Sequence, residues 1–115
     1  MTIQETLCKA LELLVDGNVF FERIPDTNKT YPAIVYQFIQ ITPNSALEDG
    51  DLDDFDVQID VYSPQPNDVF RLRKPIFKAI EQAFDYAERI SDLSDYESDT
   101  KLYRRLISYQ IAYGD

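Results

Sequence analysis

Seven carboxylates fall within residues 46–62 (ALEDGDLDDFDVQIDVY), with no lysine or arginine among them. Carboxylates at that density can hold a divalent cation, act as a general acid and base, or present a charged surface. Asp49, Asp51 and Asp53 take the first, third and fifth positions of a calcium-loop pattern, with Asp60 at the twelfth. That loop needs glycine at its sixth position and a bidentate glutamate at its twelfth. Here those positions hold Asp54 and Asp60. The pattern therefore speaks for screening by divalent cations and against a dedicated site, and no metal or other cofactor is expected.

Other catalytic equipment is sparse. The chain has no histidine, one cysteine and only three glycines, so it offers no Ser-His-Asp set, no Cys–His pair and no glycine-rich phosphate loop. Cys8 lies in an apolar helical stretch and reads as a buried thiol. Paired carboxylates do glycosidase chemistry only where burial raises one pKa, and those on a loop or an exposed strand face stay ionised. An enzyme is not expected. Arg104 and Arg105 alternate on the last predicted strand and so point to opposite faces. At least one should meet a carboxylate of a neighbouring strand or subunit, with Asp56 and Asp60 as the candidates.

These side chains sit on elements that the pattern places in order. Thr2 and Glu5 have capping-box spacing, Ile3, Leu7, Leu11 and Leu14 form a helical stripe, and Gly17 suits a left-handed C-cap. Residues 19–24 read as a short strand. Residues 32–42 are apolar on both faces, which predicts a strand that is central or covered on both sides. Residues 53–63 alternate strictly, with Phe55, Val57, Ile59 and Val61 on one side and Asp54, Asp56, Gln58, Asp60 and Tyr62 on the other. A long helix follows, striped by Val69, Leu72, Ile76, Ile80 and Phe84, with a kink or restart expected near Pro75. A weak edge strand over about 88–96 and a long strand over 101–113 complete the chain. The fold class is α+β, a mainly antiparallel sheet of four to five strands with two helices packed on it, in the order α-β-β-β-α-β-β. A single domain spans 1–115, with an acidic flexible loop over 43–52.

Net charge is −10, against a phosphate-gripping surface. Between residues 31 and 70 there are eight acidic residues and no basic one, and then Arg71, Arg73, Lys74 and Lys78 crowd together. Segregation of this kind suits a chain that meets copies of itself or different partners on different faces. Glu5, Lys9 and Glu12 interrupt any apolar leader, and no run approaches the roughly 18 apolar residues of a membrane span. The chain reads as cytosolic or assembled from a cytosolic pool, with no membrane partner.

Three segments carry a resemblance: YPAIVYQ (31–37), FDVQIDVYS (55–63) followed by an amphipathic helix, and YRRLISYQIAY (103–113). In this order, and over nearly the whole chain, they resemble the small tail-completion proteins of long-tailed bacteriophages, also called tail terminators or tail-to-head joining proteins. The resemblance implies a sheet flanked by helices and a ring of copies, commonly six, at the head-proximal end of the tail. Such a ring ends polymerisation of the tail tube protein, offers a surface to the head-side connector or stopper, and lets DNA pass without specific binding. It implies assembly in the host cytoplasm, a final place in the virion, and no catalytic residues. Within it, Asp49, Asp51, Asp53 and Asp54 are candidates for a lumen wall that repels phosphates. A competing reading is an acidic DNA mimic that occupies a DNA-binding enzyme, against which the basic cluster at 71–78 counts.

Overall fold

Because β-strand side chains alternate while helical stripes recur every three to four residues, the apolar positions set which side of each element turns to the core. The computed structural model describes residues 1–44 and 52–114. Helix α1 (Ile3–Leu11) runs into a 3-10 turn (Glu12–Leu14), followed by β1 (Val19–Phe21), β2 (Ala33–Asn44) and β3 (Leu52–Ser63). Helices α2 (Pro66–Arg71) and α3 (Arg73–Ala83) then lead to β4 (Ala87–Glu97) and β5 (Leu102–Tyr113). The two sides of the capping box close on α1, Thr2 accepting from the Glu5 amide and Glu5 from the Thr2 amide. The second helix is broken at Leu72, so Pro75 falls within the first turn of α3, where its missing N–H costs no helical bond.

The strands form one sheet in the order β1-β2-β3-β5-β4, antiparallel throughout except for a parallel β1–β2 pair. Val57, Ile59 and Val61 of β3 and Ile107, Tyr109 and Ile111 of β5 are buried under Leu7 and Leu11 of α1 and Ile76 and Ile80 of α3. This is the core; the helices cover one face of the sheet.

Three expectations change. The strand foreseen over 19–24 shrinks to Val19–Phe21 and runs parallel to β2, so the chain must cross back before β2 can begin. The crossing segment, residues 22–32, roofs part of the helix-free face. β2 is consequently buried on both sides only over its first four residues, Ala33 to Tyr36. Beyond a bulge between Phe38 and Gln40, Ile39 and Ile41 are 61% and 51% exposed, not covered as their sequence suggested. Finally, Pro43 pairs with Asp53 and Asn44 with Leu52, so the strands enter the expected loop 43–52 from both ends. Residues 45–51 lie outside the described residues.

Candidate functional site

Strand β3 alternates strictly, so burying Phe55, Val57, Ile59 and Val61 under the helices forces Asp54, Asp56 and Asp60 onto the opposite face. The pairing β3–β5–β4 then sets Arg104 on that same face, with Glu88, Asp95 and Glu97 beyond it. Among the described strand residues the helix-free face carries these six carboxylates against one guanidinium.

Asp60 is the deepest of them, only 2% exposed. Gln58 Nε2 donates to both its oxygens at 3.0 Å, and Arg104 Nη2 donates at 2.7 Å. The other terminal nitrogen of Arg104 lies 4.0 Å from Asp95 and 3.9 Å from Glu97, and the guanidinium sits 5.5 Å from the Tyr62 ring centre. Burial pulls the Arg104 pKa down, but the Asp60 hydrogen bond and charge outweigh it and hold the guanidinium above its usual value. Burial pushes the Tyr62 hydroxyl up to about 12, despite the nearby arginine. Arg104 Nε is buried without a partner, a defect of about 1–3 kcal/mol that the surrounding contacts must offset. Above this pair, residues of the 22–31 crossing and the sheet enclose a cleft of about 600 Å³, lined by Arg23, Lys29, Tyr31, Tyr62, Asp60 and Arg104 among others.

Arg105 points to the helix side, as the alternation requires. Its Nε donates to Asp92 at 2.6 Å, and Arg73 Nε approaches the second Asp92 oxygen at 2.6 Å. Burial raises the Asp92 pKa, yet the two arginines more than reverse this and leave the carboxyl below its ordinary value. Arg73 also lies over the rings of Phe70 and Phe77, and Arg89 stacks 3.8 Å above Phe77. So the two arginines singled out in the sequence have separate partners. Asp60 belongs to Arg104, Arg105 takes Asp92, and Asp56 lies in register between Gln40 and Gln110, away from both. Sequence reasoning missed Asp92 because it sits in the polar stretch 91–100, whose partner strand nothing local identifies.

The candidate lumen residues are divided too. Asp53 and Asp54 are sequence neighbours in a strand and therefore face opposite ways. Asp53 is exposed on the helix side, in register with Pro43 and Tyr113. Asp54 joins the acidic face and accepts from Asn44 Nδ2 at 2.9 Å. Asp49 and Asp51 lie outside the described residues. Among those described, no three His, Cys, Asp or Glu side chains are grouped to hold a metal ion. What the arrangement does chemically is repel anions over one half of a sheet face and bind arginines tightly at two points. Among the described residues it positions no nucleophile against a base.

Comparison with known proteins places this geometry. No curated protein matches the chain. Among solved structures it is similar to a chain described as "Virion of native gene transfer agent (GTA) particle", with a TM-score of 0.65 at 10% identity. That match covers 98% of this chain and 95% of the other, and at such low identity it is a likeness of fold. Residues 7–114 match the family described as Tail completion protein gp17, and with that match spanning nearly its whole length the chain belongs to this family of structural, non-enzymatic phage tail proteins.

Proposed function

We propose that copies of this chain close into a ring at the head-proximal end of a phage-like tail, with the helix-free sheet face toward the lumen. The observation that carries this reading is the acidic face itself. Among the described strand residues, six carboxylates against one guanidinium on the face that the helices leave open suit a wall along which DNA slides. The crossing segment 22–32 roofs the Asp60 end, so Asp54, Asp56 and Glu88 form the part open to a lumen, and Asp49 and Asp51 adjoin them in sequence. Dimensions support the ring as well. The molecule measures 46 × 23 × 23 Å, and six bodies of that width in contact leave a central hole about as wide as one of them. A duplex passes through a gap of that order.

In this reading the ring ends growth of the tail tube by occupying its last binding surface, and presents its other rim to the head-side connector. The DNA-mimic reading gains no support, since Lys74 and Lys78 are exposed cations and the family is one of tail assembly.

The test is mass by light scattering after gel filtration, at low and high salt and with magnesium, with negative-stain images of the same samples and of samples mixed with tail tubes. Rings with a central hole, free or seated on tube ends, are the expected result. A monomer at every condition that also ignores tube ends would remove the proposal. Within a ring, Asp54→Asn with Asp56→Asn should leave assembly intact while slowing DNA passage; a ring that falls apart instead would mark this face as an interface.

A further inference from the structure

Helices α2 and α3 carry a surface whose chemistry is opposite to that of the acidic face. Phe70, Arg73, Phe77 and Arg89 alternate there as a stack of rings and guanidiniums. Arg73 lies 5.1 Å from the Phe70 ring centre and 5.6 Å from that of Phe77, and Arg89 lies 3.8 Å from Phe77. Ion pairs fix the stack: Asp92 holds Arg73 together with Arg105, and Glu81 holds Arg89 while accepting from the buried Tyr109 hydroxyl at 2.6 Å. Phe70 ends the stack and is 61% exposed. Arg71 beside it is exposed, as are Lys74 and Lys78, four residues apart on one side of α3.

The charges around the stack do not balance. Arg71, Arg73, Lys74, Lys78, Arg89 and Arg105 stand against Asp68, Glu81 and Asp92, and an arginine already holds each of these three carboxylates. The other acids of β4 turn away. Glu88, Asp95 and Glu97 pair in register with Gln110, Arg104 and Leu102, on the helix-free face, and Asp85 borders a separate hollow with Asp54 and Glu88. Among the described residues Lys74 and Lys78 make no ion pair. On a chain of net charge −10 this is a local excess of cations.

Resting on the ring reading above, we infer that Phe70, with Lys74 and Lys78 beside it, docks a carboxylate-bearing surface at the end of the tail tube. The tube supplies carboxylates to the lysines and an apolar or aromatic group over the open Phe70 ring. Aromatic and arginine side chains are the usual centres of binding energy at protein interfaces. Here Asp92 and Glu81 order Arg73 and Arg89 before any contact, so binding at Phe70 immobilises little that was free. A cap competes with the next tube subunit for the tube end, and a contact ordered in advance serves that competition. A duplex is the poorer occupant. Only Lys74 and Lys78 lack a carboxylate here, whereas affinity for nucleic acid is built from many neutralised phosphates.

The test is capture of rings by purified tail tubes, read by sedimentation over a range of ring concentrations. The same rings are offered to heads bearing their connector and to a short DNA duplex. Phe70→Ala and Lys74→Glu should each weaken tube capture about tenfold or more, with ring mass and circular dichroism melts unchanged. Lys9→Glu, the same charge change at an exposed position of α1, should capture tubes as the wild type does. Folded Phe70→Ala and Lys74→Glu rings that bind tubes with wild-type affinity would overturn the docking surface and leave the ring reading standing. Variants that lose heads but keep tubes would overturn it too, as would a wild type held by the duplex and released by Lys74→Glu. A wild type that forms no ring, either free or on tube ends, would remove the ring reading and this docking surface with it.

Discussion

Among the described residues Asp60 accepts from the side chains of Gln58 and Arg104, and it is almost wholly out of water, so its fate depends on Arg104. Arg104→Ala should cost about 3–5 kcal/mol of stability in urea denaturation, the range for stripping the partner from a buried charge. Arg105→Ala should cost less, about 1.5–3 kcal/mol, because Arg73 still grips Asp92. The reverse order would mean that the helix-side pair, not Asp60, holds the sheet. Asp92 also shapes acid stability. Its pKa is lowered on folding from 3.8, so its contribution is complete above that value and fades as pH falls through the lower folded one. Asp92→Asn should therefore be destabilised at neutral pH, with the gap to wild type closing below pH 3.8. A gap that stays constant down to acid unfolding would count against this. At this scale the sequence showed that Arg104 and Arg105 face opposite ways, which alternation dictates, but it could not assign Arg105 a partner on a strand that pairs with β5 through the tertiary fold.

At the scale of elements, α1 shows how finely a periodic stripe sorts neighbours. Leu11 is fully buried and Leu13, two residues on, is 86% exposed. Leu11→Ala should cost about 2–5 kcal/mol and Leu13→Ala no more than about 0.5 kcal/mol, in the same denaturation series. Equal effects would mean that the 3-10 turn packs on something in solution. Nearly every element was legible because its signal is local: a capping box, a stripe, an alternation, a proline. The exceptions are instructive. Ile39 and Ile41 read as covered because an apolar side chain does not reveal whether anything lies above it. β1 carries no mark of its parallel pairing, since that depends on where β2 lies and on the path of residues 22–32.

For the whole molecule, the charge of −10 opposes gathering copies into a ring, and screening should relieve it. Assembly should therefore need salt or magnesium. Asp54→Asn with Asp56→Asn, by thinning the acidic face, should lower the concentration required, as read from the ring fraction in light scattering. An unchanged threshold would mean that repulsion between those faces does not limit assembly.

By itself the sequence determined the kinds and order of the elements, the lack of catalytic equipment, and the acidity of one strand face. All of these follow from composition and short-range periodicity, which are properties of neighbouring residues. Only the tertiary structure decided that β5 inserts between β3 and β4, so that Arg104 meets Asp60 while Arg105 meets Asp92. It alone decided that the crossing after β1 lies over the Asp60 end of the acidic face. Those outcomes depend on contacts between residues far apart in the chain, whose choice of partner is made by packing the whole sheet against its helices.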